Sequence, residues 1–395
     1  MRIILNEIKK IWNIKLLFVA IIIGALFYMI FMMGFIETFE RNHPLIEETK
    51  YAMKMTQSYS AMITDEELLD FMKKERKALI SEAEGYINTF PIFSEVGIYN
   101  FEDYEDIHNK DDITEREHEA IWTLLREKGN FVRFKLQALD MIQERYYDYP
   151  KYTLEKMLNS QDTPKIELVR LQEIKETEEY RNIMDGYSFE DTVSYSIYLA
   201  IVTILTVLVL VSPLIANDRS INIHLLQYSS KNGRRILFQQ FISIIISAFM
   251  VTTLCVLIFG AIYTINGTFV FWNNGLTSFL NLRADFFWFD LSYGQYIILY
   301  IILLYMLSIG AASLAFVVSR FSENLIAVIM KLIPLFSGFC FTSFLVFFNT
   351  FSNANFFYRF AGIPLLEPIV CFFLLLMGLV SSVYILNREK KIDVL

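Results

Sequence analysis

The sequence predicts an all-α membrane protein, with six transmembrane helices and a large, mostly helical extracellular insertion between the first and second. Three observations predict it. Of the 395 residues, 54% are hydrophobic, with 36 Phe and 22 Tyr. A soluble domain of this size needs a polar skin and is not so apolar. Six apolar runs are each long enough to cross a bilayer. Charge is unevenly divided: residues 37–191 hold about 35 acidic and about 20 basic side chains, and the remainder carries a net charge of about +7.

The first element is residues 1–13, where Ile3, Ile4, Ile8, Ile11 and Trp12 alternate with Lys9 and Lys10. This is the pattern of an amphipathic helix lying on the inner leaflet. Residues 14–36 follow as the first span. At about 1.5 Å per residue they reach roughly 34 Å, enough for a hydrocarbon core of about 30 Å. The run is too long for a signal-peptide core, and no small-x-small site follows Gly34-Phe35-Ile36, so an uncleaved anchor is expected.

The insertion, residues 37–191, reads as helical. Thr64 to Glu67 and Thr114 to Glu117 are capping boxes. Leu68, Leu69, Met72, Leu79 and Ile80 form one apolar stripe, and Ile121, Leu124 and Leu125 begin another. Gly129 is expected to bend its helix. Thr163-Pro164 is expected to open a helix carrying Ile166, Val169, Leu171 and Ile174, which Gly186 ends. The insertion is large enough to bury its own core. His108 among acidic residues and the Glu115-x-x-His118 spacing raise a metal site, but no second ligand motif accompanies them. A solvated acidic face is the expectation, with no metal and no catalytic residue assigned.

Five further spans are expected at 193–216, 236–265, 293–318, 325–348 and 363–386, with a tail at 387–395. Cys255, Cys340 and Cys371 all lie in these apolar runs, so no disulfide framework holds the insertion. Arg2, Lys9, Lys10, Lys15, Arg219, Lys231, Arg234, Arg235, Arg320, Arg388, Lys390 and Lys391 fall on one side of the alternating spans. The short loops of the other side offer Arg283 and Arg359. The positive-inside rule places both termini in the cytoplasm and the insertion outside. Trp272, Trp288 and neighbouring Phe and Tyr residues mark an outer loop suited to headgroup depth.

Two ionisable residues fall within spans. Lys331 can reach the inner boundary by extending its stem. Glu367, beside Pro368, must face protein or a wet cavity, and is the candidate residue for a translocation path. The sequence has no phosphate-binding Gly-x-x-x-x-Gly-Lys-Ser/Thr loop, no His-Glu-x-x-His and no Gly-x-Ser-x-Gly. Nucleotide hydrolysis by the first route, and the zinc-protease and serine-hydrolase chemistries of the others, have no seat here.

The longest inward loop, 217–235, is the most informative stretch. Asp218 and Arg219 lead into Ile221, Ile223, Leu225 and Leu226. The turn Tyr228-Ser229-Ser230-Lys231-Asn232-Gly233 then precedes Arg234 and Arg235. A short apolar helix held between two spans can pass force between a soluble partner and the bundle, although an ordinary positive loop is the plain reading. With the six spans, the inward ends and the outer insertion, this loop resembles the ABC-2 type exporter permeases of bacteria. The match lies in Asp218, Tyr228 to Lys231 and Gly233 to Arg235. The family often has Glu within the stretch occupied by Ala216-Asn217-Asp218, and Lys where Gln239 and Gln240 stand.

The resemblance implies a permease subunit of the bacterial cell membrane with no cofactor of its own and no nucleic-acid partner. ATP and Mg would be bound by a separate cytoplasmic ATPase dimer, and a second permease subunit, identical or not, would complete the path. It makes residues 221–226 the coupling helix, with Asp218, Arg219, Lys231 and Arg234 around it. The cargo would be a peptide, a lipid-like molecule or another amphiphile. The alternatives are a membrane sensor or immunity protein whose outer domain binds a ligand, and a membrane enzyme. The first lacks a cytoplasmic signalling domain and the second lacks a catalytic constellation.

Overall fold

The structure is a computed structural model that describes residues 2–41, 43–126, 132–220, 233–280 and 285–389. The described residues are mostly helical, with isolated bridges and no strand among them. In chain order the helices are α1 (Arg2–Ile11), α2 (Ile14–Phe27), α3 (Pro44–Ser58), α4 (Asp65–Thr89), α5 (Pro91–Glu95), α6 (Phe101–His108), α7 (Glu115–Arg126), α8 (Val132–Asp148) and α9 (Glu155–Asn159). Then come α10 (Lys165–Thr177), α11 (Gly186–Val211), α12 (Pro213–Ser220), α13 (Gly233–Tyr263), α14 (Tyr293–Arg320), α15 (Leu325–Phe347), α16 (Phe356–Ala361) and α17 (Leu366–Glu389). Among the described residues, six helical stretches are long and apolar enough to span a membrane: Ile14–Glu40, Gly186–Asp218, Arg235–Asn266, Tyr293–Arg320, Leu325–Phe347 and Leu366–Glu389. The second is the most buried and the first and fifth the least.

The chain divides into two compact units. One, the bundle, comprises Met1–Ile36, Asp191–Asn266 and Gln295–Leu395. The other comprises Glu37–Glu190 and Gly267–Gly294.

In the bundle, close helix contact depends on small residues, because lipid tails are as apolar as Leu and burial alone drives little association there. At Gly378 on α17 a β-carbon would lie 2.8 Å from the Gly310 carbonyl oxygen of α14 and 2.9 Å from Ser313 Cβ. The two backbones therefore touch, and Ser382 Oγ donates to the Ser313 carbonyl at 3.1 Å beside them. The second span is jointed at Ser212, where Pro213 has no N–H to continue the ladder. Ser319 Oγ of α14 donates to the Ser212 carbonyl at 3.2 Å.

The second unit has its own buried apolar core; removing such a side chain from water is worth about 1.5–3 kcal/mol. Both capping boxes form: Glu67 and Thr64 exchange bonds of 2.9 and 3.3 Å, and Glu117 and Thr114 bonds of 2.7 and 3.3 Å. On α4 the buried stripe is Leu68, Phe71, Met72 and Leu79, whereas Leu69 faces outward. Gly129 lies outside the described residues.

Three local expectations need correction. Thr163 does not cap α10: its hydroxyl turns back to the Met157 carbonyl at 2.8 Å, and Pro164 holds the cap position. Gly186 does not end α10, which stops at Thr177 with Glu178 in the left-handed region at φ 55°. Gly186 instead opens α11, capped by Asp185, whose Oδ2 accepts the Ser188 N–H at 2.7 Å. On α10 itself Ile166 and Val169 are exposed, and Arg170 takes the buried place beside Leu171 and Ile174. Arg170 is satisfied fully. It makes a bidentate pair with Glu179 at 2.9 and 2.5 Å, and its Nε donates to the Phe287 carbonyl at 2.8 Å.

The aromatic segment 267–294 is stitched to 180–186. Phe279 N donates to the Tyr180 carbonyl at 2.7 Å and Gly275 N to Asn182 Oδ1 at 2.9 Å, while Ser278 Oγ donates to the Asn182 carbonyl at 2.5 Å. Gly275 is required there, since a β-carbon would sit 2.4 Å from Asn182 Nδ2. Phe271, Phe279, Phe286 and Phe287 are buried in this unit.

Candidate functional site

The site is at the end of the bundle where spans two and four finish and spans three and five begin. The helix α1 lies on α13. Its register follows from two matched stripes. Ile4, Glu7 and Ile11 recur at helical spacing on α1, and Gln240, Ser243 and Ser247 recur at the same spacing on α13. Ser243 Oγ donates to the Ile4 carbonyl at 3.2 Å, Gln240 Nε2 to Glu7 Oε2 at 3.1 Å, and Trp12 Nε1 to Ser247 Oγ at 3.2 Å.

Glu7 is 5% exposed, and a carboxylate so enclosed needs partners. It has Gln240 and the Lys10 ammonium, the latter at 2.8 Å. Asp218, in the last turn of α12 and 7% exposed, accepts Gln240 Nε2 at 2.7 Å and lies 3.5 Å from Lys10 Nζ. Burial pulls the Lys10 pKa down, but Glu7 and Asp218 outweigh it and hold the ammonium above its ordinary value. One amide and one ammonium thus tie α1, α12 and α13 together. At the same end, Arg320 of α14 and Glu389 of α17 form a bidentate pair at 3.0 and 2.6 Å.

Of the residues expected to act in coupling, Asp218 is at the centre of this cluster. Ile221, Ile223, Leu225, Leu226 and Lys231 lie outside the described residues, as do the side chains of Arg219 and Arg234. The cluster occupies both shoulders of that loop, α12 before it and α13 after it. Sequence reasoning missed Glu7, Trp12, Gln240, Ser243 and Ser247 as partners. The polar stripe at 240, 243 and 247 within an apolar span was the available signal.

Glu367 is at the opposite end of the bundle, in the first turn of α17 and 1% exposed. Its Oε1 accepts the Phe351 N–H at 3.2 Å, and Phe351 is held in the left-handed region at φ 63°. The carboxylate therefore secures the turn that follows α15. Asn355 completes that turn by donating to the Phe348 carbonyl at 2.8 Å. Lys331 reaches back to the end of α14, donating to the Phe321 carbonyl at 2.8 Å and to Ser322 Oγ at 3.3 Å.

Two apolar clefts flank the first span. One, of ≈ 370 Å³, lies between it and α11 and α13, with Ala20, Gly24, Leu210 and Val251 on its walls. The other, of ≈ 350 Å³, lies between it and α11 and α15, with Ile23, Leu205 and Ile329 on its walls. The contacts of the first span with the bundle are thus open on both sides.

In the other unit His118 Nε2 accepts the Trp122 indole N–H at 2.8 Å. Among the described residues no group of three or more His, Cys, Asp and Glu is placed to hold a metal ion. Comparisons with family models, with curated proteins and with solved structures return no match.

Proposed function

We propose that this chain is the permease subunit of an ATP-driven ABC-2 type exporter in a bacterial membrane. In this reading it pairs with a second permease and with a separate ATPase dimer, and moves an amphiphilic substrate outward. The end carrying α1 faces the cytoplasm, and the polar insertion faces outward.

The observation that carries the reading is the Glu7–Lys10–Asp218–Gln240 cluster. A loop that only connects two spans has no need of buried charges at its base. A loop that receives force does, because its shoulders must move with the helices behind them. Asp218 ties the entry of the 221–232 loop to α13 through Gln240, and Lys10 and Glu7 add α1 to the same body. A push on the loop is then felt by the second and third spans at once. Where the resembled family often carries a lysine, this chain has Gln239 and Gln240, and Lys10 on α1 brings a cation to Gln240's two carboxylate partners.

The test is Ile223→Asp with Leu226→Asp in a chain co-expressed with its ATPase. Burying each apolar side chain in an ATPase groove is worth about 1.5–3 kcal/mol. The double variant is expected to insert normally, to recover little ATPase on purification and to lose transport-coupled hydrolysis. Unchanged recovery together with unchanged hydrolysis would overturn the coupling assignment.

A further inference from the structure

The insertion unit contains a charge imbalance that the transport reading does not use. Glu48 on α3 is fully buried, and so is nearly all of Asp185, at 2% exposed. Asp185 precedes α11. Its Oδ2 accepts the Thr49 hydroxyl at 2.7 Å and the Ser188 N–H at 2.7 Å. Glu48 Oε1 is paired with the Arg145 guanidinium of α8, while Glu48 Oε2 is buried with no hydrogen-bond partner.

The groups facing this point from the surrounding elements do not balance it. From α8 comes Arg145; Glu144 of that helix is exposed and Asp148 half-buried. The Thr38–Glu40 turn against α3 carries only the exposed Glu40, and the Thr268–Phe271 turn carries no charge. On α3 itself Glu47 is bound to Lys50 at 2.7 Å, and Lys54 to Glu75 at 2.6 Å. Two enclosed carboxyls therefore share one guanidinium. Ionising both leaves one uncompensated charge beside an oxygen that no donor reaches, the arrangement a protein interior tolerates least.

We propose that Glu48 carries a proton in the folded insertion, and that Glu48, Asp185 and Arg145 form a proton-binding site governing how α3 is held on the N-terminus of α11. One proton makes the cluster neutral. Glu48 then abuts Asp185 without repulsion, and Thr49, the next residue, keeps its bond to the capping carboxylate. Loss of the proton places two like charges across the same contact. Burial first, and then Asp185, push the Glu48 carboxyl up to about 8 against the opposing pull of Arg145. The proton would therefore be exchanged near neutral to mildly alkaline pH. The inference is independent of what the bundle transports.

Infrared difference spectroscopy on the full chain in lipid vesicles tests it, through the carbonyl stretch of a protonated carboxylic acid. Wild type is expected to show this band at pH 6 and to lose it with a midpoint near 8. The E48Q chain, whose side chain has the shape of the protonated acid, should fold and lack that titrating band. The D185N chain keeps a capping oxygen but removes the like charge, and should shift the midpoint down by about one unit. A wild-type band identical to that of E48Q would overturn the proposal. So would a Glu48 midpoint in the ordinary carboxylate range. Failure of E48Q to fold would also count against it, since a protonated Glu48 and Gln offer the same bulk and charge.

Discussion

Gln240 donates to Asp218 at 2.7 Å, across a loop of the chain whose two ends it thereby fastens together. The same amide nitrogen is 3.1 Å from Glu7, so one side chain serves two carboxylates from different helices. Gln240→Leu removes the donor while both acceptors stay buried. Hydrogen bonds to charged groups are worth about 1.5–3 kcal/mol each. The variant should melt well below wild type in detergent. Asp218→Asn, which can still accept from Gln240, should lose less than Asp218→Leu. Thermal unfolding of the three chains side by side checks the order.

The crossing of α14 and α17 gives a steric prediction. At Gly378 any β-carbon meets the Gly310 carbonyl at 2.8 Å. Gly378→Val should push the two helices apart and reduce the monodisperse fraction recovered by gel filtration, with Gly378→Ala intermediate. Gly338, where a β-carbon would meet nothing within 4 Å, should accept Ala without loss.

The buried pair Arg170–Glu179 should behave asymmetrically. Removing Arg170 strands the buried Glu179 carboxylate and costs about 3–5 kcal/mol, whereas removing Glu179 leaves Arg170 only the exposed Glu173, at 3.0 Å. Arg170→Leu or Glu179→Leu alone should therefore lower the denaturant midpoint of the insertion more than the double substitution does. A double variant as unstable as the sum of the singles would show that the two side chains act independently.

Stability of the insertion should fall as pH rises, over an unusual window. Glu48 has its folded pKa raised, to about 8, above the ordinary value of 4.5. The folded form thus holds a proton that the unfolded chain has released. Its contribution is fully present below pH 4.5 and is lost as pH rises through about 8. The slope is at most about 1.4 kcal/mol per pH unit. Unfolding of wild type and E48Q between pH 5 and 9 should show the steeper decline in wild type, since burial also raises the Asp185 carboxyl and leaves E48Q a shallower one.

Orientation is open to direct labelling. A cysteine at Ser160, in the turn after α9, should react with a membrane-impermeant thiol reagent in intact cells. Reaction only after the cells are opened would reverse the topology and place the loop at 221–232 outside.

The sequence made some of this legible and not the rest, for a physical reason. Spans and capping boxes are local: length, hydropathy and a Thr–Glu spacing of three residues suffice to read them. The partnership of Glu7 with Gln240 joins positions 233 residues apart, and no periodicity encodes it. Gly186 looked like a helix end because glycine stops helices more often than it starts them. Here Asp185 beside it supplies the cap, and Glu178 adopts the left-handed conformation without a glycine. Glu367 was legible as buried but not as the acceptor for a strained turn.

The insertion is built from two stretches of chain, 37–190 and 267–294, with a complete membrane hairpin's worth of sequence between them. During synthesis the first stretch is made long before the second. At about 5–20 residues per second, residue 294 follows residue 190 by some 5–20 s. Throughout that delay the Asn182 side chain has no Gly275 to receive, and Arg170 has no Phe287 carbonyl. The nascent insertion is therefore an unfinished domain waiting for its last piece, and it can be completed only after the third long apolar helix has been made. A chain stopped at Asn266 should be clipped by protease around residues 178–186, and one extended to Tyr293 should resist.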